Sequence, residues 1–421
     1  MGDFRNKTLL FLGGLELEVE AIKKARSMGI RTIVADYYPD APAKKYADVA
    51  SMVSATDIDA LAELCHNEKV DGVFTGYVDS LLPYYAQLCE RVGLPCYGTE
   101  ETFRIMTDKA LFKQACREYS VPVIDEYTDE DVRCGKAVYP LLIKPTDSSG
   151  SRGISIVNDF SEYESARNRA LSYSKSKSML IERYMTGDEV VLYYYMQDGD
   201  PVFQGMCDRY VFKNEQNVAQ IPTAYIYPSK YTHAFIGKLN ERIVDMLRGL
   251  GMQNGPLFLQ GFIQDDLPVL YEPGYRLCGA REHVLVNAIN GIDSESMLIE
   301  FALTGHMHPK KISSISDPFF RDKYGCKLSP VLHAGTVARI EGLAEVKEMD
   351  FVADVFPNNW AGDTVTPTEV GTLRQLAYRA YIVGDSLNNL RDNINVVQES
   401  LRYYDEDGND MMQAYFNASI L

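Results

Sequence analysis

The 421-residue sequence contains neither a G-x-G-x-x-G run nor a G-x-x-x-x-G-K-[ST] run. A dinucleotide fingerprint and a P-loop are therefore both excluded. Its eight cysteines (65, 89, 96, 116, 134, 207, 278, 326) never fall in C-x-x-C spacing. Reduced thiols are expected, not a disulfide framework or a zinc site. There is no spanning run of about 18 apolar residues, and Met1-Gly2-Asp3-Phe4 leads towards a strand without an apolar leader. A cytoplasmic protein that does not use the membrane is the expectation. Positive charge is scarce: 42 Lys and Arg stand against 59 Asp and Glu, a formal net charge of −17. That balance excludes nucleic acid, whose phosphates demand a basic face, while a local basic pocket remains compatible with it. Histidines number only six. His306 and His308 would point apart on a helix and have no third ligand at metal spacing. No G-x-S-x-G elbow is present, so no serine nucleophile is indicated.

What is present alternates. Thr8 to Leu12 is an apolar run of strand length ending at Gly13-Gly14, and Glu16 to Met28 has helical periodicity closed by Gly29. Thr32 to Ala35 is a second strand, a helix starts near Thr56, and Val70 to Phe74 is a further strand. This order predicts a doubly wound parallel sheet whose ligands sit at the carboxyl ends of the strands, near Gly13-Gly14, Asp36 and Gly76 to Ser80. Pro95 to Gly98 marks its boundary. A helix over Asp108 to Tyr119 then carries Lys109 in its first turn, where a cation opposes the helix dipole and needs an outside reason.

The most informative stretch runs from Leu141 to Met185. Two short apolar strands flank Asp147 to Gly153, and Lys144 closes the first of them. Gly150 and Gly153 let backbone amides approach an anion, while Ser148, Ser149 and Ser151 add hydroxyl donors. An ordinary Gly/Ser hairpin turn would look similar. Further on, Met179-Leu180-Ile181 runs into Glu182-Arg183-Tyr184-Met185, and Glu189 opens the next strand after Gly187. The two carboxylates suit a base amine and sugar hydroxyls, or simply form a solvated pair beside a turn. Gly199-Asp200 reads as a hairpin turn and Ile236 to Leu250 as one amphipathic helix. Leu257 to Ile263 and Pro268 to Glu272 pair around Gln264-Asp265-Asp266, with Arg276 four residues beyond Glu272, a spacing suited to magnesium and phosphate.

Taken in this order, these segments resemble the ATP-grasp superfamily. Gly13-Gly14-Leu15-Glu16 and the late Ala334-Gly335-Thr336 are similar to the branch containing biotin carboxylase and formate-dependent glycinamide ribonucleotide transformylase. The resemblance implies a mixed α/β and α+β fold. Its parts would be a pre-ATP-grasp doubly wound sheet over 1–98, an ATP-grasp domain over 99–318 with a glycine-rich lid at about 120–187, and a β-rich C-terminal appendage over 319–421. By position, Lys109 and Lys144 would contact ATP phosphates under the loop Ser148, Ser149, Gly150, Ser151 and Gly153. Glu182 and the backbone of Arg183, Tyr184 and Met185 would hold adenine, and Glu189 the ribose. Glu272 would bind Mg²⁺ (or Mn²⁺), and Arg276 would stabilise the charge transferred. Two departures stand out: Gln260 occupies the place of an acidic metal ligand, and Glu272-Pro273-Gly274 lacks the asparagine of E-x-N, so one or two ions are implied, with Asp265 or Asp266 as substitutes. Arg209, Arg276 and Arg281 are candidates for holding an acceptor carboxylate. Glu16 and Asp79 are candidates for an amine or hydroxyl of the second substrate, although Glu16 equally suits a helix first turn. The implied activity is a carboxylate–amine ligase that works through an acyl phosphate and releases ADP and phosphate. The implied partners are small-molecule substrates and a second copy of the chain. The alternatives are a bicarbonate-phosphorylating carboxylase and a non-catalytic ATP-binding regulatory or scaffold protein.

Overall fold

The computed structural model describes residues 4–146, 153–213, 220–307 and 310–421. Ser148, Ser149, Gly150, Ser151 and His308 lie outside the described residues. Strands β1 (Thr8–Leu12), β2 (Arg31–Ala35), β3 (Val49–Ser51) and β4 (Gly72–Phe74) form a parallel sheet in the order β3-β2-β1-β4. Every residue of β1 is buried, as an apolar run at the centre of a parallel sheet requires. Strand order reverses between β1 and β4, which opens a ligand crevice at their carboxyl ends. The helix expected from Glu16 is divided into a 3-10 turn, Glu16–Glu18, and α1 (Val19–Ser27). Asp57 caps the next helix, Ile58–Glu68, by accepting from the Ala60 amide at 3.1 Å.

After α2 (Lys109–Glu118), capped by Asp108, the chain builds a small lid. Its strands β5 (Glu126–Tyr127), β6 (Leu141–Pro145), β7 (Ser155–Val157) and β8 (Met179–Arg183) run in the order β5-β8-β6-β7. Leu141, Ile143, Val157 and Ile181 close on Tyr163, Ala166 and Ala170 in a core of their own. The alternate residues of β6 and β8, Lys144 and Glu182 among them, are thereby turned to the opposite face.

The largest element is an eight-stranded sheet. It contains β9 (Glu189–Gln197), β10 (Asp200–Lys213), β11 (Gln220–Tyr227), β12 (Gly255–Gln264), β13 (Leu267–Gly274), β14 (Tyr324–Leu328), β15 (Val352–Pro357) and β16 (Tyr378–Gly384). Their order is β13-β12-β9-β10-β11-β14-β16-β15. The C-terminal segment is β-rich as expected, but three of its strands extend the central sheet. Between β8 and β9 the chain crosses at Gly187 from one sheet to the other. Two local expectations need correction. The β9–β10 hairpin turns on Asp198-Gly199, one residue early, with φ of 54° and 81°, the two positive angles that a two-residue turn of this kind uses. The helix expected over Ile236 to Leu250 is broken at Leu239 into Thr232–Lys238 and Asn240–Gly249.

At the boundary expected near Pro95 to Gly98, Tyr97 packs against Tyr85, Phe103 and Tyr275 with ring centroids 5.2–5.3 Å apart. Its hydroxyl donates to the Tyr275 carbonyl at 2.9 Å. Each such ring pair contributes about 0.5–1.5 kcal/mol beyond its buried area. The parallel sheet and the central sheet therefore share one apolar core.

Candidate functional site

The site is built around one helix. Lys109 and Lys113 stand four residues apart on α2 and so share a face. Lys113 is fully buried, and its ammonium donates to Glu182 Oε1 at 2.5 Å and to Glu126 Oε1 at 2.9 Å. The other Glu182 oxygen accepts from Lys144 Nζ at 2.5 Å. β6 pairs with β8 so that Leu142 faces Glu182 and Lys144 faces Leu180, which makes Lys144 and Glu182 diagonal neighbours on one face. Burial pushes the Glu182 carboxyl up, but the Lys144 and Lys113 charges outweigh it and hold the group below the usual carboxylate range. The hinge that follows is fixed by its backbone: the Arg183 amide donates to the Asp125 carbonyl at 3.0 Å, and the Tyr184 amide to that of Pro140 at 2.8 Å. Met185, half-buried, continues it. Gly153 is the described end of the glycine-rich loop. Its φ of +78° and the contacts a Cβ would make with Tyr173 and Pro145, at 2.7 and 2.8 Å, account for glycine there.

Lys109, one turn nearer the start of α2, reaches the central sheet instead, its Nζ 3.5 Å from Glu272 Oε1. The out-of-place cation at the start of α2 thus has its outside partner. Gln260 lies directly opposite Glu272 in the β12–β13 ladder, and its Oε1 accepts from the Tyr271 hydroxyl at 2.9 Å. Asp265 and Asp266 form the tight turn of that hairpin, with φ of 51° and 62°. They lie about 20 Å of extended strand from Glu272, so they are no substitute ligands. Gly274 is explained by crowding: a Cβ there would meet the Phe258 ring at 2.2 Å, and the same ring carries the Arg276 guanidinium at 5.0 Å. One carboxylate and one amide carbonyl suit a single Mg²⁺ that takes its remaining ligands from phosphate oxygens and water. Among the described residues no group of three or more His, Cys, Asp or Glu has metal-ligating geometry.

At the end of β13 the central sheet meets the parallel sheet. Arg276 Nη2 donates to Asp79 Oδ2 at 2.5 Å and Nη1 to the Leu277 carbonyl at 2.8 Å. Arg276 Nε and Asp79 Oδ1 are buried with no partner. Arg281, in left-handed backbone at φ 54°, donates to the Leu17 carbonyl at 2.8 Å and stacks over Phe356. Arg209 and Glu189, opposite each other in the β9–β10 ladder, form an ion pair. Of the two candidates in the parallel sheet, Asp79 thus engages Arg276, whereas Glu16 is exposed. Lys113, Tyr271 and Glu282 escaped the sequence reading. Glu282 is buried and burial pushes its carboxyl up to about 7, with Oε2 unpartnered. A lysine four residues after Lys109, on the apolar face of α2, was the only available signal for the first of them.

Residues 137–279 match the ATP-grasp domain family, and residues 10–93 match the PylC-like N-terminal domain. The formate-dependent phosphoribosylglycinamide formyltransferase of Sulfolobus acidocaldarius is 26% identical over 272 residues, covering 61% of this chain and 67% of that protein. Among solved structures, an L-amino acid ligase from Bacillus licheniformis superposes with a TM-score of 0.76 at 19% identity, over 96% of this chain and 99% of that one. A phosphoribosylglycinamide synthetase from Anaerococcus prevotii gives 0.75 at 17% identity, over 95% and 100%.

Proposed function

The chain carries an ATP-grasp domain behind a PylC-like N-terminal domain, and from that premise we propose that it is an ATP-dependent carboxylate–amine ligase. An acceptor carboxylate oxygen attacks the γ-phosphorus of ATP, the bond to the β–γ bridging oxygen breaks, and ADP leaves. An amine then attacks the acyl carbon of the resulting acyl phosphate, losing a proton as inorganic phosphate departs. The observation that carries this reading is the position of Arg276. It lies four residues past Glu272, whose carboxylate faces Lys109, and is itself bonded to Asp79 at the mouth of the parallel-sheet crevice. Nucleotide phosphates and acceptor would therefore meet at one guanidinium, where charge builds as two anions approach. Glu272 and Gln260 would hold Mg²⁺, which when bound neutralises triphosphate charge. Lys144, positioned by Glu182, supplies a compact cation. A cytoplasmic homodimer acting on small molecules completes the reading. The test is a hydroxylamine trap with ATP, Mg²⁺ and pooled carboxylates. Hydroxamate together with ADP is expected, and Lys144→Met is expected to lower the rate at least about 100-fold. AMP with pyrophosphate would show adenylation instead and overturn the mechanism. ATP binding without turnover on any pool would favour a regulatory role.

A further inference from the structure

The face of the central sheet beneath residues 276–284 carries a polar row that runs from strand to strand. Glu189 pairs with Arg209, Arg209 with Tyr225, Tyr225 with Lys327, Lys327 with Tyr381 and Tyr381 with Asp354. Directly opposed residues share a face, and so do Ser329 and Arg379, each two residues along from a member of the row. The Tyr381 hydroxyl donates to the Ala280 carbonyl at 2.7 Å, which ties the loop over the row.

Within it, Arg209 has a carboxylate partner in Glu189. Lys327 is 2% exposed, lies over the Tyr225 ring at 4.7 Å, and has no carboxylate within ion-pair distance among the described residues; nor has Arg379. The Ser329 hydroxyl and the Nε groups of Arg209 and Arg281 are buried and unpartnered. An ammonium without a counter-charge is among the costliest groups to bury. Several donors left open around it on one face describe a site whose missing member is an anion.

We propose that Lys327 and Arg379, with the Ser329 hydroxyl, bind a second anionic group of the acceptor substrate, distinct from the carboxylate that is phosphorylated. Spacing separates the two groups. Lys327 and Arg379 lie two and three strands beyond Arg209, counted away from the Glu272 hairpin, or about 10 and 14 Å along the sheet. The reacting carboxylate must come within about 3.5 Å of the γ-phosphorus. The acceptor is therefore an acid with two anionic ends, a dicarboxylate or a phosphorylated carboxylic acid. Which end reacts rests on the ligase reading above; the anion site itself is testable without nucleotide.

The experiment follows thermal unfolding of the full chain, without ATP, titrated with inorganic phosphate, succinate or acetate at matched ionic strength. Phosphate, succinate or both are expected to raise Tm saturably by roughly 3 °C, with acetate weaker by at least tenfold in midpoint concentration. A response to phosphate alone marks a phosphorylated acceptor, and a response to succinate alone a dicarboxylate. Lys327→Met, which keeps the volume and removes the charge, is expected to abolish the rise. Arg379→Gln, at a half-buried position, is expected to shift the midpoint concentration at least tenfold, and decides the matter should Lys327→Met fail to fold. An intact response in the folded variants, an equal response to acetate, or no response to any anion would overturn the proposal. Absence of ADP formation would overturn the ligase reading and leave this result standing.

Discussion

Glu182 holds two lysines together, because Lys144 and Lys113 converge on its two oxygens. Glu182→Ala would leave Lys144 without its carboxylate and the buried Lys113 with Glu126 alone, and removing one partner of a buried pair costs about 3–5 kcal/mol. Denaturant unfolding should show a loss of that size, with Glu182→Gln intermediate and both variants weakened in ATP affinity. Its pH signature follows from the sign of the shift. A carboxyl held below its unfolded value contributes stability that is present above about 4.5 and is lost as pH falls through the lowered folded value. Glu282 behaves oppositely. Burial raises it to about 7, so its contribution is full below about 4.5 and disappears as pH rises towards 7, at up to ~1.4 kcal/mol per pH unit. Unfolding free energies measured at pH 5 and pH 7 should fall less in Glu282→Gln than in the natural protein; parallel slopes would refute the assignment. Sequence reading singled out Lys109, Lys144, Glu182, Glu272 and Arg276 because each stands in a recognisable local pattern. It missed Lys113, Lys327 and Glu282, whose roles come from residues brought near by pairing and packing that no local pattern encodes.

The β12–β13 hairpin shows how one element settles a question of ligand number. The strand pairing puts Gln260 across from Glu272 as the sequence suggested, yet the Gln260 carbonyl already serves Tyr271. The position of a missing asparagine is filled by the Phe258 ring. Gly274→Asn would drive that ring away from the Arg276 guanidinium it supports. Overpacking of this kind costs about 1–3 kcal/mol, so Tm should fall, and ADP formation should fall with it through Arg276. Tyr271→Phe, by contrast, frees the Gln260 oxygen and should lower the Mg²⁺ concentration required for half-maximal ATP turnover, with little change in Tm. An unchanged Mg²⁺ requirement would mean that Gln260 stays outside the metal shell. The hairpin itself was legible from alternation and its turn, whereas the fate of Gln260 depended on a tyrosine one residue from Glu272 whose direction a bulge at Gln260/Gly261 alters.

At the scale of the whole molecule, the decisive fact is that the last hundred residues share a sheet with the nucleotide-binding part. β14, β16 and β15 continue the ladder from β11, and Ala224 and Ile226 of β11 belong to the same apolar cluster as Leu328, Ala380, Ile382 and Leu390. The resemblance implied a β-rich appendage after 319, but no sequence pattern located the three strands that join the central sheet; an apolar strand does not specify which sheet it joins, and a separate appendage was the simpler expectation. The consequence can be measured. Ending the chain at residue 318 would expose β11 as a long unpaired edge and uncover the apolar residues on it, a combination that favours edge-to-edge aggregation. It would also remove Tyr381, whose hydroxyl holds the 276–284 loop through Ala280, and with it the support behind Arg281. The expectation is that 1–318 is recovered aggregated or unable to bind ATP, and that the full chain unfolds without a separate C-terminal transition. A soluble 1–318 fragment that binds ATP with the affinity of the full chain would instead make the C-terminal strands an independent unit docked on a finished sheet. Arg281 would then owe its placement to the Leu17 carbonyl alone.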